Sequence, residues 1–182
     1  VSDDGGVADV EINHGLWTLS GPNSVIGRTL AIDNREDDGI PYDDDTIRPL
    51  AQCVIGVENV DNNVAKADSP GSSFVYATSE IFGVGSNKLR GRITLEQQQH
   101  SGMVIVRGRI CGLKTGATHG LHIHEYGDAR SMPSNVGAHY NPEQNPHRLP
   151  SNPDRHIGDL PNIFYNGAGT ETCECTVDRV TL

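Results

Sequence analysis

Apolar and polar residues alternate with a period of two along several stretches of the chain, which is the pattern of half-buried strands. Residues 5–19, GGVADVEINHGLWTL, alternate in this way, and a Gly-Pro-Asn turn leads from them into a second strand within SGPNSVIGRTLAID, residues 20–33. FVYATSEIF (74–82), NKLRGRITLEQ (87–97) and MVIVRGRICGL (103–113) read as three more strands. Helical periodicity is scarce. Residues 61–73, DNNVAKADSPGSS, are polar, carry Pro, Gly and Ser, and read as a linker. The expectation is an all-β fold.

Composition narrows this without changing it. A chain of 182 residues that is 35% hydrophobic can build one core, and its 21 glycines and 10 prolines suit a protein of strands and turns. No stretch reads as a transmembrane span or a signal peptide. The formal net charge of −10 argues against nucleic acid or an anionic membrane as partner, and toward divalent cations and a secreted, extracellular existence. Cysteines at 53, 111, 173 and 175 permit disulfides without specifying pairs.

The candidate chemistry lies between Gly120 and Asn162, where five of the chain's eight histidines fall. His122 and His124 stand two apart in a strand-like run, so both imidazoles point to one face. His139, His147 and His156 follow at spacings of eight and nine, with Asp159 three further on, in a segment whose Pro, Asn and Gly content reads as loop. A loop of this length must recover its ordering entropy, and an ion gripped by three imidazoles and a carboxylate supplies it. That donor set suits tetrahedral Zn²⁺.

The strings GLHIHEYGD, GAHYNP and RHIGDLPN, in that order and spacing, resemble the metal-binding region of the copper/zinc superoxide dismutases. The resemblance implies a Greek-key β-sandwich or flattened barrel, with His139, His147, His156 and Asp159 as the zinc ligands. It also places His122, His124 and the bridging His139 at copper. GVADV, IGRTL and QCVIGVENV (52–60) resemble strands of the second half of such a domain, the last of them its final strand. Residues 1–60 then match the C-terminal half of one dismutase-like domain. Residues 74–182 match the N-terminal part of the next, or of the same domain permuted, with a metal loop at 127–160.

Residues 168–182, AGTETCECTVDRVTL, repeat the pattern of residues 5–19 at a shift of 163, sharing the second Gly and the final Thr-Leu. A tandem repeat seen through a window that opens mid-domain accounts for this. The two halves then either fold together as a permuted domain or complete domains with other copies of the chain, the second route leading to a large homo-oligomer. Repeat-type, diverged members of this kind, the pernin and cavortin group of mollusc haemolymph, are similar to this chain.

Departures from the family pattern fall at the copper position. Asp33 stands where the fourth copper histidine is expected, and Cu(I) prefers imidazole or soft donors to a hard carboxylate, so Cu²⁺ is doubtful while Zn²⁺ or an empty position is open. Pro49 takes the place of the anion-guiding arginine, with Arg48 one residue earlier as a possible substitute. Seven acids against one base between Asp33 and Asp45 oppose the steering of an anion and could instead attract hard cations. Asp37 matches the family's buried carboxylate that links the two metal sites. His119 matches a packing histidine; His14 and His100 read as surface residues.

The family's own disulfide lacks a counterpart, since Met132 and Pro133 stand at one cysteine position and Cys53 is offset by one from the other. In the implied fold Cys173 or Cys175 neighbours Cys111. The resulting expectation is a zinc-binding dismutase-like protein without efficient dismutase activity. An active copper/zinc dismutase, or an assembly protein stapled by zinc, are the alternatives.

Overall fold

The computed structural model describes residues 6–40, 48–58, 74–98, 102–130 and 135–165. Nine strands appear among them: β1 (Gly6–His14), β2 (Thr29–Asp33), β3 (Pro49–Val54), β4 (Gly56–Val57), β5 (Phe74–Gly83), β6 (Arg90–Gln98), β7 (Val104–Leu113), β8 (Thr118–Ile123) and β9 (Asp159–Phe164). There is no helix among the described residues. Hydrogen-bonded neighbours run β1-β7-β6-β5-β3-β2-β8-β9, with β4 on β5. Each ladder between strands is antiparallel. The ends of the row, β1 and β9, approach each other, so the sheet is a nearly closed barrel. Strands from before and after residues 59–73 interleave in it, β2 on β8, β3 on β5 and β1 on β7.

Period-two alternation places one face of each strand in the core. In β6 the buried positions are Gly91, Ile93, Leu95 and Gln97, and in β1 they are Gly6, Ala8, Val10, Ile12 and His14. Leu30, Ile32, Ile81, Ile110, Leu121 and Leu160 fill the interior between them. At about 1.5–3 kcal/mol for each such side chain, this core is the main stabilising force. Two turns close on residues suited to them: Gly116 (φ 74°) in the tight β7–β8 turn and Gly21 (φ 75°) after Trp17.

Three expectations need correction. Residues 159–164 form a strand, β9, although the segment reads as loop. Among the described residues β9 lies at the end of the row and pairs with β8 alone, and exposed Pro161 falls at its register shift, where the missing N–H interrupts no ladder bond. The strand expected over 52–60 starts at Pro49 and divides at Ile55, whose backbone bonds instead to Gly27 and Arg28. His14 is buried, 3% exposed, and stacks on Trp17 with ring centroids 4.6 Å apart. It ends β1 on the inward phase of the alternation, a fact that residue type alone does not signal. His100 lies outside the described residues.

Cys53 is a free, buried thiol that burial pushes up to about 12, whereas Cys111 is disulfide-bonded. Cys173, Cys175, Met132, Pro133, the linker at 61–73 and the repeat at 168–182 lie outside the described residues.

Burial, aided by the nearby Arg155 charge, pulls His14 down to about 4 from 6.5. Between those values the unfolded chain binds the proton and the folded chain does not, so stability is full above about pH 6.5 and is lost as pH falls toward 4. The loss attributable to His14 is on the order of 3 kcal/mol. Urea unfolding of wild type and His14→Gln between pH 7 and 5 should show the wild type losing stability faster on acidification. Parallel pH curves for the two proteins would rule the assignment out.

Candidate metal centre

The centre is built on β8. Leu121 and Ile123 point into the barrel, so His122 and His124, on the alternate phase, point outward beneath the following loop. Gly120 leaves space for His122: a Cβ there would sit 2.8 Å from the His122 ring and 3.5 Å from Asp33 Oδ2. The loop is tied down by backbone bonds. Tyr140 N–H donates to Ile123 O (2.7 Å), Ile123 N–H to Gly158 O (2.9 Å) and Gly158 N–H to Tyr140 O (2.9 Å). Arg28 lies over the Tyr140 ring, 3.5 Å from its centroid, and donates to the carbonyls of Ser24 and Glu125. His139 and His156 are therefore delivered by backbone pinned to β8.

The first donor group is His139, His147, His156 and Asp159, whose ligand atoms all lie within 4.8 Å of one another. Asp159 Oδ1 is 2.8 Å from His139 Nδ1 and 3.3 Å from His156 Nδ1, and Oδ2 is 2.9 Å from His147 Nδ1. Donors around a tetrahedral Zn²⁺ stand about 3.3 Å apart, so small adjustments admit the ion. His156 Nδ1 is buried without a hydrogen-bond partner and faces this point. A buried nitrogen left unsatisfied is costly, and a metal would satisfy it. The residues fit zinc.

A second group lies against the first through His139, whose ring stacks on His122 at 4.0 Å and meets His124 edge-on at 5.1 Å. His124 Nδ1 donates to Gly137 O (3.0 Å), leaving Nε2 as the lone pair. His122 Nδ1 is 2.8 Å from Asp33 Oδ2. Asp37 joins the groups: Oδ2 accepts from His122 Nε2 (3.1 Å) and Oδ1 from His147 Nε2 (2.9 Å). Its own backbone is clamped by Asn162 of β9, which donates to Asp37 O and accepts from Asp37 N–H.

These contacts set the protonation of the side chains. Burial opposes the charged form of His122, but bonds to Asp33 and Asp37 outweigh it and raise its pKa to about 9. His147 behaves likewise between Asp159 and Asp37, reaching about 10. Burial dominates at His139, which falls to about 4 despite Asp159, and at His124, which is also lowered. For Asp37 and Asp159 burial acts upward, yet hydrogen bonds from the imidazoles hold both carboxyls well below the usual range. Metal binding at the first group must displace the protons that Asp159 shares with Nδ1 of His139 and His147, while the Nε2–H bonds to Asp37 are kept.

Of the remaining residues singled out by sequence, His119 is buried and donates from Nδ1 to Asp33 O (2.8 Å). Arg48 is exposed, its backbone paired with Asn34, and Pro49 opens β3. Asp43, Asp44 and Asp45 lie outside the described residues. Asn162, Arg28 and the Gly137 carbonyl escaped sequence reasoning. Each acts on a residue more than ten positions away, so no local pattern announces it.

The profile of the copper/zinc superoxide dismutases (SODC) matches residues 89–182. The chain is 36% identical over 104 residues to Cu-Zn superoxide dismutase 5 of Dictyostelium discoideum, covering 57% of this chain and 68% of that protein. It is 42% identical over 98 residues to Cu-Zn superoxide dismutase A of Xenopus laevis, covering 54% and 63%. With the Cu-Zn superoxide dismutase of Cryptococcus neoformans var. grubii it shares 34% over 98 residues, covering 54% and 64%. The aligned stretch thus spans about two-thirds of each relative.

Asp37→Asn keeps the shape but replaces one acceptor oxygen with an amide, misorienting His122 or His147. Zinc affinity, measured by competition with a chromophoric chelator, should fall by about 10–100-fold. Unchanged affinity would show that Asp37 does not position the ligands.

Proposed function

The chain belongs to the copper/zinc superoxide dismutase family, and from that premise we propose that it is a secreted, self-associating zinc-binding member in which efficient dismutase chemistry is lost. The observation that carries this is Asp33, whose carboxylate touches His122 Nδ1 at 2.8 Å where the family pattern expects an imidazole. Three imidazoles and a carboxylate do not fit a copper that must cycle to Cu(I). No dismutation step is therefore assigned. His139, His147, His156 and Asp159 would hold zinc, which supplies cross-linking of the loop to the barrel rather than redox chemistry.

Other features support the same reading. Acidic residues 33–45 repel an anionic substrate, and Pro49 cannot guide one. The disulfide at Cys111 suits an oxidising, extracellular compartment. Together with the repeat, these support placing the chain among the diverged, repeat-type proteins of mollusc haemolymph. Self-association is supported by β1, which among the described residues pairs with β7 alone, and whose sequence pattern recurs at 168–182. Two segments that suit one strand position leave one of them to pair with another copy.

Copper-reconstituted protein should show negligible superoxide dismutation, and Asp33→His should raise it if the ligand is the dominant fault. Wild-type activity within about tenfold of the steered limit of roughly 10⁹ M⁻¹s⁻¹ would establish the active-dismutase alternative. Light scattering at physiological salt should find a large homo-oligomer. A monodisperse species of the chain's own 19.6 kDa would refute the assembly.

A further inference from the structure

We propose that Arg155 is a positioning residue for the first donor group and that it acts from His14, so that the end of β1 sets how tightly the loop holds zinc. This rests on the zinc reading of that group.

Arg155 stands next to His156 in the loop before β9, and its guanidinium reaches three separate parts of the chain. Nη1 donates to Asn152 O (3.1 Å), Nε to Asp159 O (3.4 Å) and Nη2 to His14 Nε2 (3.4 Å). Its own carbonyl accepts from Asn145 Nδ2 (3.2 Å), and Asn145 is bound in turn to the Asn141 side chain through its N–H and its carbonyl. The segments that lead to His147 and to His156 therefore meet at Arg155. Neither histidine lies in a strand, so ties of this kind set where their rings stand.

The other end of the tie is rigid. His14 ends β1, is buried and stacks on the fully buried Trp17, and β1 is paired with β7 from Gly6 to His14. A guanidinium can only donate, so His14 meets it with the lone pair of Nε2. β1 and β9 are the two ends of the row and form no ladder with each other among the described residues, so the Arg155–His14 contact spans the seam where β1 stops and β9 begins. Beside a zinc site a positive charge repels the ion. Arg155 turns to the Asp159 carbonyl and leaves both carboxylate oxygens to the imidazoles, an arrangement explained by what it holds and not by its charge. By linkage, zinc on the loop and the hold on β1 strengthen each other.

Zinc affinity of the full-length chain, measured by competition with a chromophoric chelator, should fall about tenfold in Arg155→Met and in His14→Leu, and the double variant should lose no more than Arg155→Met alone. His14→Gln, whose amide oxygen can still accept from Arg155, should retain most of the wild-type affinity. In hydrogen exchange, zinc should slow the amides of residues 6–14 in the wild type and in His14→Gln but leave them unchanged in His14→Leu. Zinc binding in Arg155→Met as tight as in the wild type, or tighter, as removal of a repelling charge would give, overturns the proposal, and so do losses that add in the double variant. His14→Leu tests it independently: wild-type affinity there overturns it even where Arg155→Met fails to fold. No zinc in the wild type overturns the reading of the first donor group instead.

Discussion

The constraint on which the centre depends is the Asp37 carboxylate, each oxygen of which accepts from an imidazole of a different donor group. One buried carboxylate therefore fixes the orientation of both His122 and His147, turning their Nδ1 atoms toward Asp33 and Asp159. Removing this charge would leave two buried rings with unsatisfied nitrogens, a heavier loss than that of one hydrogen bond. The protein secures Asp37 accordingly. Its backbone is clamped by Asn162 and its Oδ1 also accepts from Gly39 N–H, so neither ring can pull the carboxylate away from the other.

Asp33 ends β2 and Asp37 follows it, whereas the histidines and Asp159 of the centre follow β7, on the far side of residues 59–73. The centre exists only because β2 lies beside β8 in the barrel, with Ala31 opposite His122. Neither portion alone carries both His122 and the Asp33 and Asp37 carboxylates that bond to it. Folding of the barrel and assembly of the donor groups are one event, and zinc bound to the loop would stabilise the whole sheet through the ladder between β8 and β9. The acidic character that would obstruct an anion-consuming enzyme is compatible with a centre that holds cations.

Much of this was legible in the amino-acid sequence because it is written in local spacing. Alternation announced β1, β5, β6 and β7, and a period of two put His122 and His124 on one face, since both properties depend only on backbone geometry within a strand. The four residues of the first donor group were legible from composition and order. Burial of His14, the strand at 159–164 and the clamp by Asn162 were not, because each depends on which distant segment lies alongside. A histidine at a strand end reads as exposed until Trp17 is seen stacked on it. A proline-containing stretch reads as loop until it proves to be the last strand of the row.

The division follows from the range of the forces involved. By itself the sequence determined strand phase and the order of the residues that form the first donor group, both matters of covalent order and residue chemistry. Only the tertiary structure decided that Asp33 reaches His122, 89 positions away, and that Asp37 spans two imidazoles 85 and 110 positions distant. Hydrogen bonds act over about 3 Å, so such contacts are settled by sheet order and not by any pattern along the chain.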